Sequence, residues 1–110
     1  MKCLQWSMVV PRDKQEDFRK YSVKTLGPTW KKFGCQRYEL YKVNDQPFIK
    51  RLVLESNRFV EQLMFNDETD IAEFFRKVKN NPDANKISRS YEEIFDATNI
   101  ELRLLLKFNS

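Results

Sequence analysis

The chain has 110 residues, a net charge of +4 and a hydrophobic content of 41% that includes nine phenylalanines. This length predicts one domain, residues 1–110, with one hydrophobic core. A chain this short exposes much of its surface, which favours burial by self-association. No apolar run approaches the roughly 18 residues that a membrane-spanning helix needs, and the first residues lack the pattern of a signal peptide. We therefore expect a protein of the cytoplasm that does not bind membranes.

The absence of histidine from the chain argues against several classes of function. Histidine is the usual general base near neutral pH, the base of Ser-His and Cys-His pairs and the commonest ligand of zinc. The two cysteines, Cys3 and Cys35, cannot form a four-thiolate site, and we expect both to be reduced strand residues. We therefore expect no metal and no cofactor. Any catalysis must use carboxylates, tyrosines, lysines, arginines, cysteines or a borrowed cofactor.

The first third of the chain predicts a strand followed by a helix. Residues 2–10 alternate between two faces with the period of two that a pleated strand imposes. A capping-box-like pattern at Asp13 begins a helix, which we expect to end at Gly27-Pro28. Residues 29–33 then predict one further short helical turn.

The middle of the chain predicts two more strands. Residues 35–43 and 58–65 alternate in the same way as the first strand. Between them, a turn at residues 44–47 leads into residues 48–54, whose extended pattern predicts an additional strand or hairpin arm.

The last third predicts helices and a final strand. Asn66, Asp67 and Asp70 indicate the start of a second helix, which residues 80–82 end and a short third helix follows. The apolar stripe of the second helix has helical spacing and consists of Ile71, Phe74, Phe75 and Val78. Residues 99–108 predict the last strand, which carries an apolar face of Ile100, Leu102, Leu104, Leu106 and Phe108.

This order of elements is the split β-α-β pattern of ferredoxin-like domains. It predicts an α+β fold with a four-stranded antiparallel sheet in the order 4-1-3-2 and helices on one face only. The first two strands are not neighbours in that order, so Cys3 and Cys35 should lie too far apart to form a disulfide.

The face without helices is predicted to mix apolar and polar side chains. Its predicted members are Cys3, Gln5, Ser7, Val9, Arg37, Glu39, Tyr41, Val60, Gln62, Met64, Arg103 and Leu105. Such a face is too apolar to be simply solvated, and two copies packed face to face would bury it and pair its charges. We therefore expect a homodimer.

Two segments resemble the dimeric α/β-barrel superfamily. Residues 27–41 (GPTWKKFGCQRYELY) resemble its helix-to-strand passage, in which a glycine introduces a strand of the form x-x-Tyr-x-Leu-Tyr. Residues 58–68 (RFVEQLMFNDE) resemble its third strand, where an aromatic residue precedes an acidic turn into the second helix. The resemblance implies a fold shared by antibiotic-biosynthesis monooxygenases, muconolactone isomerases, haem-degrading enzymes and many members without a known activity. Haem-degrading members bind iron through a histidine, which this chain lacks.

Such a fold has a cleft between the sheet and its helices, which suits a flat apolar or phenolic ligand. Its predicted lining is Trp6, Tyr21, Tyr38, Phe59, Glu61, Leu63, Phe65 and Phe74. The commoner role of the aromatic side chains in this set is to form a closed core. Glu61 shares the register of Phe59 and Leu63, so alternation points its carboxyl group inward, where burial would raise its pKa and suit it to proton transfer. A bulge that turns it to solvent, or an ion pair with an arginine, is the alternative.

Two functions stay open at this point. The first is a cofactor-independent monooxygenase-like or isomerase-like enzyme that acts on a small aromatic or apolar compound, with Glu61 in proton transfer. The second is a non-catalytic dimeric module that binds a small molecule or acts as a regulator. Residues 12–32 carry seven basic and three acidic residues and suggest phosphate contacts. However, their order follows the helix dipole and the strands lack RNA-stacking aromatics, so we expect no nucleic-acid partner.

Overall fold

The computed structural model describes residues 1–109, and its centre is a four-stranded antiparallel sheet. The strands are β1 (Lys2–Val9), β2 (Arg37–Lys42), β3 (Arg58–Phe65) and β4 (Thr98–Leu106). Their order is β2-β3-β1-β4, which is the predicted order 4-1-3-2 read from the opposite edge. The helices and the core lie on one face, so the predicted ferredoxin-like fold is confirmed.

The helices form two groups on that face. The first group connects β1 to β2 and consists of a 3-10 turn (Arg12–Lys14), α1 (Gln15–Tyr21), a π-helical segment (Ser22–Leu26) and α2 (Gly27–Lys32). The second group connects β3 to β4 and consists of α3 (Ile71–Asn80), α4 (Pro82–Ser88) and α5 (Ser90–Glu93). Asp70 caps α3 by accepting a hydrogen bond from the Glu73 backbone N–H at 3.3 Å. Within residues 1–109, no helix has the length and apolar character that crossing a membrane requires.

The prediction that the first helix ends at Gly27-Pro28 is wrong, because helical backbone continues to Lys32. Pro28 lies in the first turn of α2, where a proline N–H is not needed for the helix ladder. Gly27 has a different role. A Cβ atom there would lie 3.0 Å from Cδ2 of Tyr38 and 3.3 Å from the Ser22 carbonyl oxygen. Gly27 therefore permits close approach of the helix to β2.

The prediction of a strand or hairpin arm at residues 48–54 is also wrong, because this segment belongs to an exposed loop between β2 and β3. Arg51 and Asn57 have φ angles of 67° and 60°, which interrupt the extended backbone that a strand needs. The last strand also ends earlier than predicted, at Leu106 instead of residue 108.

The two faces of the sheet have the predicted composition. On the helix side, β1 and β3 pair Leu4 with Leu63 and Trp6 with Glu61. The core on this side is apolar and aromatic and includes Leu4, Trp6, Met8, Phe18, Leu26, Trp30, Phe59, Leu63, Phe65, Phe74, Val78 and Tyr91. Each fully buried large side chain of this kind contributes roughly 1.5–3 kcal/mol to folding.

The helix-free face contains the side chains that the alternation predicted. The strand registers place Cys3, Gln5 and Ser7 beside the corresponding residues of β3 and β4. Two of its arginines pair within their own strands, Arg37 with Glu39 at 3.1 Å and Arg103 with Glu101 at 3.9 Å. Both cysteines are free, as predicted from the strand order.

Replacing Gly27 by alanine should destabilise the protein, although alanine is the better helix former. The added Cβ would press on the Tyr38 ring at 3.0 Å and on the Ser22 oxygen at 3.3 Å, and overpacking of this kind costs about 1–3 kcal/mol. Urea unfolding of Gly27→Ala and wild type measures the change. The control Val23→Ala lies at a position that is 68% exposed and should change the unfolding free energy by less than about 0.5 kcal/mol. Equal or higher stability of Gly27→Ala would contradict the close contact.

Candidate functional site

The carboxyl group of Glu61 lies in the interior of the protein. The buried positions of β3 alternate, and they point Glu61 toward the helices, where its side chain is 0% exposed. Its neighbours across the sheet are Trp6 on β1 and Leu40 on β2. The sequence therefore predicts the inward orientation correctly, and the bulge that would turn Glu61 to solvent does not occur.

Two tyrosines interact with Glu61. The hydroxyl group of Tyr38, on β2, donates a hydrogen bond to Oε2 of Glu61. Tyr91, on α5, is 1% exposed and accepts a hydrogen bond from Nε1 of Trp30 at 3.2 Å. The Tyr91 hydroxyl group lies close enough to lower the pKa of Glu61. Among residues 1–109, however, Oε1 of Glu61 has no partner in hydrogen-bond geometry.

Burial raises the pKa of Glu61 to about 7, because the ionised carboxylate loses its solvation by water. The hydroxyl groups of Tyr38 and Tyr91 lower this pKa and offset part of the effect. Burial and the charge of Glu61 in turn raise the pKa of both tyrosines. The site therefore contains one carboxyl group that changes charge near neutral pH, next to two phenols that stay protonated.

Trp6 adds a second unpartnered polar group beside Glu61. Its indole ring lies 5.9 Å from that of Trp30 and 4.8 Å from that of Tyr91, measured between ring centroids. Trp6 is 9% exposed, and within residues 1–109 its Nε1 has no hydrogen-bond partner, like Oε1 of Glu61. Trp6 and Glu61 are paired across β1 and β3 on the helix side of the sheet. An unpaired hydrogen-bond donor and an unpaired acceptor thus belong to neighbouring residues. A hydroxyl group, which both donates and accepts, satisfies such a pair.

An apolar cavity of about 270 Å³ lies over Trp6, between the sheet and helices α3 and α4. Its lining residues are Trp6, Trp30, Phe74, Phe75, Val78, Lys79, Asn85 and Ser88. Ligand pockets are typically apolar with a few polar groups and range from roughly 300 Å³ upward. This cavity lies just below that range, so its size restricts a ligand to one or two rings, with polar groups from Lys79, Asn85 and Ser88 available to a substituent.

A second cavity, of about 360 Å³, lies between the first helical group and β2, and we call it the Tyr38 groove. Its lining residues are Arg19, Ser22, Val23, Gly27, Pro28, Lys31, Tyr38 and Leu40. The π-helical segment supplies Ser22 and Val23 to this groove, and such segments are frequent at functional sites. Tyr38 is both a wall of the groove and the donor to Glu61, so it connects the buried carboxyl group with the surface.

The structure separates the predicted lining residues. Trp6 and Phe74 line the cavity over Trp6, and Tyr38 lines the Tyr38 groove. Tyr21 lies in a third, open groove beside Phe95. Of the remaining four, Phe59, Leu63 and Phe65 belong to the closed core. Glu61 is buried among them and lines none of these three cavities.

Sequence reasoning missed the parts of the site that come from the helices. Trp30 and Tyr91 lie on two separate helices, and no local pattern in the sequence indicates that they form a hydrogen bond beside Glu61. The signal that could have identified Gly27 is its place in the motif of residues 27–41. Among the described residues, no cluster of histidine, cysteine, aspartate and glutamate side chains could hold a metal ion.

Solved structures share this fold over nearly the whole chain. HapK from Hahella chejuensis has a TM-score of 0.69 and 11% identity, with 100% of this chain and 95% of HapK covered. A candidate antibiotic biosynthesis monooxygenase from Deinococcus radiodurans has a TM-score of 0.67 and 11% identity, with 100% and 95% covered. A dimeric ferredoxin-like protein from an uncultured marine organism has a TM-score of 0.56 and 12% identity, with 99% and 95% covered.

At these identities the likeness establishes the fold alone, and it agrees with the ferredoxin-like fold that the sequence predicts. No protein-family model matches the chain, and no curated protein is significantly similar to it.

The stability of the protein should fall between about pH 4.5 and pH 7 and then level off. The folded-state pKa of Glu61 lies above its ordinary value, so the folded state keeps a proton that the unfolded state loses in this range. The free energy of unfolding should decrease by about 3 kcal/mol across it, at roughly 1.4 kcal/mol per unit of pKa shift. Urea unfolding at a series of pH values measures the fall.

The variant Glu61→Gln should remove this fall, because the amide does not ionise. The matched control is Glu68→Gln, at an exposed position in the loop before α3, which should leave the fall in place. A wild-type stability that is flat from pH 5 to pH 8 would show that Glu61 does not carry a raised pKa.

Proposed function

We propose, from the fold shared with ferredoxin-like and monooxygenase-like proteins, that this protein is a cofactor-independent enzyme that binds a small aromatic compound and transfers a proton. The observation that carries the proposal is Glu61. It is a fully buried carboxyl group with a pKa of about 7, and its neighbour across the sheet, Trp6, lines an apolar cavity. A pKa near the working pH is what general acid–base catalysis requires.

The ligand would occupy the cavity over Trp6. Its ring would pack against Trp6, Phe74 and Phe75, which supply most of the aromatic wall. A hydroxyl group on that ring would accept a hydrogen bond from Nε1 of Trp6 and donate one to Oε1 of Glu61, the two buried polar atoms without partners among residues 1–109. This arrangement favours a hydroxylated aromatic compound over a plain hydrocarbon, because a buried polar atom left unpaired costs about 1–3 kcal/mol.

The proposed step is the transfer of the ligand's hydroxyl proton to ionised Glu61. The O–H bond breaks, its electron pair stays on the ligand oxygen, and Glu61 becomes a carboxylic acid. The hydrogen bond from Tyr38 to Oε2 holds the carboxylate before the transfer. The resulting aromatic anion can take the proton back on carbon, as in an isomerase-like reaction, or react with dioxygen as the oxidant, as in a monooxygenase-like reaction.

A non-catalytic binding module is the second candidate, and the complete burial of Glu61 favours it. Phe59 and Leu63 flank the carboxyl group on β3 and belong to the closed core. If no ligand atom reaches Glu61, its ionisation affects stability and not a reaction.

We also propose that the protein is a homodimer that pairs through the helix-free face. Val9, Val60 and Met64 lie half-buried on this face, and Tyr41 and Leu105 are exposed. One of the solved structures with this fold is described as dimeric. A second copy would bury these side chains at a mixed interface with an apolar centre.

The probe for ligand binding is 1-naphthol, with naphthalene as the matched compound without a hydroxyl group. In ¹H–¹⁵N spectra, 1-naphthol should shift the indole N–H signal of Trp6, which the variant Trp6→Phe identifies by its loss. Glu61→Gln should weaken the binding of 1-naphthol by roughly tenfold, since a hydrogen bond to a charged group contributes about 1.5–3 kcal/mol. Naphthalene should bind both proteins equally. Equal binding of the two compounds to wild type would contradict the proposed hydroxyl site.

Incubation with 1-naphthol in D₂O separates the enzyme from the binding module. Proton return to carbon introduces deuterium into the ring, which mass spectrometry detects. Wild type should accelerate this uptake, and Glu61→Gln should reduce the acceleration by about a hundredfold, within the usual range for a general acid–base group. Binding without accelerated uptake, and without oxidation in air, would leave the module as the function.

The dimer predicts a mass in solution of twice 13.3 kDa. Light scattering with size-exclusion chromatography measures it. Met64→Lys should shift the protein to the monomer, because it places a charge in the proposed apolar centre. The control Val23→Lys, on the exposed side of the helices, should stay dimeric. A wild-type monomer at micromolar concentration would contradict the proposal.

A further inference from the structure

A buried carboxyl group that accepts a proton must release it to water before it can accept another. In the function proposed above, the ligand fills the cavity over Trp6, so this side is closed while the proton is on Glu61. A path on a different side is therefore needed, and Glu61 has polar neighbours in two directions, Tyr38 and Tyr91.

We propose that Tyr38 and Ser22 carry the proton of Glu61 to the Tyr38 groove, which makes this groove the proton exit of the site. This proposal rests on the proposed function, because Glu61 needs a path for its proton only if it accepts one from a ligand. The path itself is a property of the folded chain, so it can be tested without a ligand.

The contacts of Tyr38 define the path. Its hydroxyl group is hydrogen-bonded to Glu61, and its side chain lines the Tyr38 groove together with Ser22. The Ser22 hydroxyl donates to the Arg19 carbonyl oxygen at 2.7 Å, which leaves the lone pairs of its oxygen available to accept a proton. Ser22 also lowers the pKa of Tyr38, and both side chains belong to the wall of the same groove.

The backbone keeps this path short. The absence of a side chain at Gly27 lets the Tyr38 ring approach the helix, since a Cβ would lie 3.0 Å from it. The π-helical segment begins at Ser22, so the widened turn and the hydroxyl group occur at the same place. Arg19 and Lys31 also line the groove, so its wall has polar as well as apolar side chains.

The transfer conserves protons at every oxygen. Glu61 gives its proton to the Tyr38 oxygen, and Tyr38 gives its hydroxyl proton to Ser22. Ser22 breaks its hydrogen bond to the Arg19 carbonyl oxygen and gives its own proton to water in the groove. Both hydroxyl groups end with one proton each. The net change is one carboxylate and one hydrated proton.

Tyr91 provides the matched comparison. It also acts on Glu61, but it lines neither the cavity over Trp6 nor the Tyr38 groove, and its hydroxyl group accepts a hydrogen bond from Trp30, which is itself buried. A proton passed to Tyr91 stays inside the protein. Tyr91→Phe therefore removes an interaction with Glu61 without removing the path.

The experiment follows the infrared C=O stretch of the protonated Glu61 carboxyl group at about pH 5, below its pKa. Its loss in Glu61→Gln identifies the band. After rapid mixing into D₂O the band shifts to lower frequency as O–H becomes O–D. Wild type and Tyr91→Phe should exchange equally fast, whereas Tyr38→Phe should exchange more slowly by roughly tenfold or more, the factor for about 1.4 kcal/mol of added barrier.

Ser22→Ala is the second variant, which keeps the bond between Tyr38 and Glu61 and should also slow the exchange. If Tyr38→Phe does not fold, Ser22→Ala alone tests the proton path. Backbone amide exchange of Leu63, recorded on the same samples, reports opening of the strand and should not change in step with the carboxyl exchange.

Equally fast exchange in wild type, Tyr38→Phe and Ser22→Ala would overturn the path. So would equal slowing by Tyr91→Phe, or carboxyl and amide exchange that change together. A failure here leaves the 1-naphthol results standing, and a failure of 1-naphthol binding leaves the exchange results standing.

Discussion

The hydrogen bond from Tyr38 to Glu61 connects the interior of this protein with its surface, and much of the local structure depends on it. A carboxyl group with no exposed area loses its solvation, which normally excludes it from a core unless polar partners replace the water. Here the phenols of Tyr38 and Tyr91 replace part of it, and the pKa of Glu61 settles at about 7 instead of rising further. Glu61 is therefore a buried carboxyl group that is partly protonated and partly ionised near neutral pH.

Several departures from regular structure make room for this hydrogen bond or lie beside it. The first helical group does not stop at Gly27-Pro28 but passes through a π-helical segment, and Gly27 leaves room for the Tyr38 ring. On the other side, Trp30 donates to Tyr91 and both rings pack on Trp6. The same packing leaves the polar atoms of Trp6 and Glu61 without partners among residues 1–109. Together these features place polar groups around a buried carboxyl group.

The sequence predicted the layered fold because period-two alternation and helix caps are local signals. The inward direction of Glu61 followed from the same alternation along β3. The helix through Gly27-Pro28 and the loop at residues 48–54 were predicted wrongly, because tertiary contact with Tyr38 and the positive φ of Arg51 override local propensity. The division of the predicted cleft into two cavities depends on how α3 and α4 pack, which no local pattern contains.

The most direct measurement is the titration of the Glu61 side-chain carboxyl carbon by ¹³C nuclear magnetic resonance in the wild-type protein. The account predicts a midpoint near 7, with the signals of Tyr38 ring carbons changing at the same pH because the two side chains share a hydrogen bond. A midpoint near 4.5, the ordinary value for a glutamate, would mean that water or a cation reaches the carboxyl group, and would contradict both its burial and its role in proton transfer.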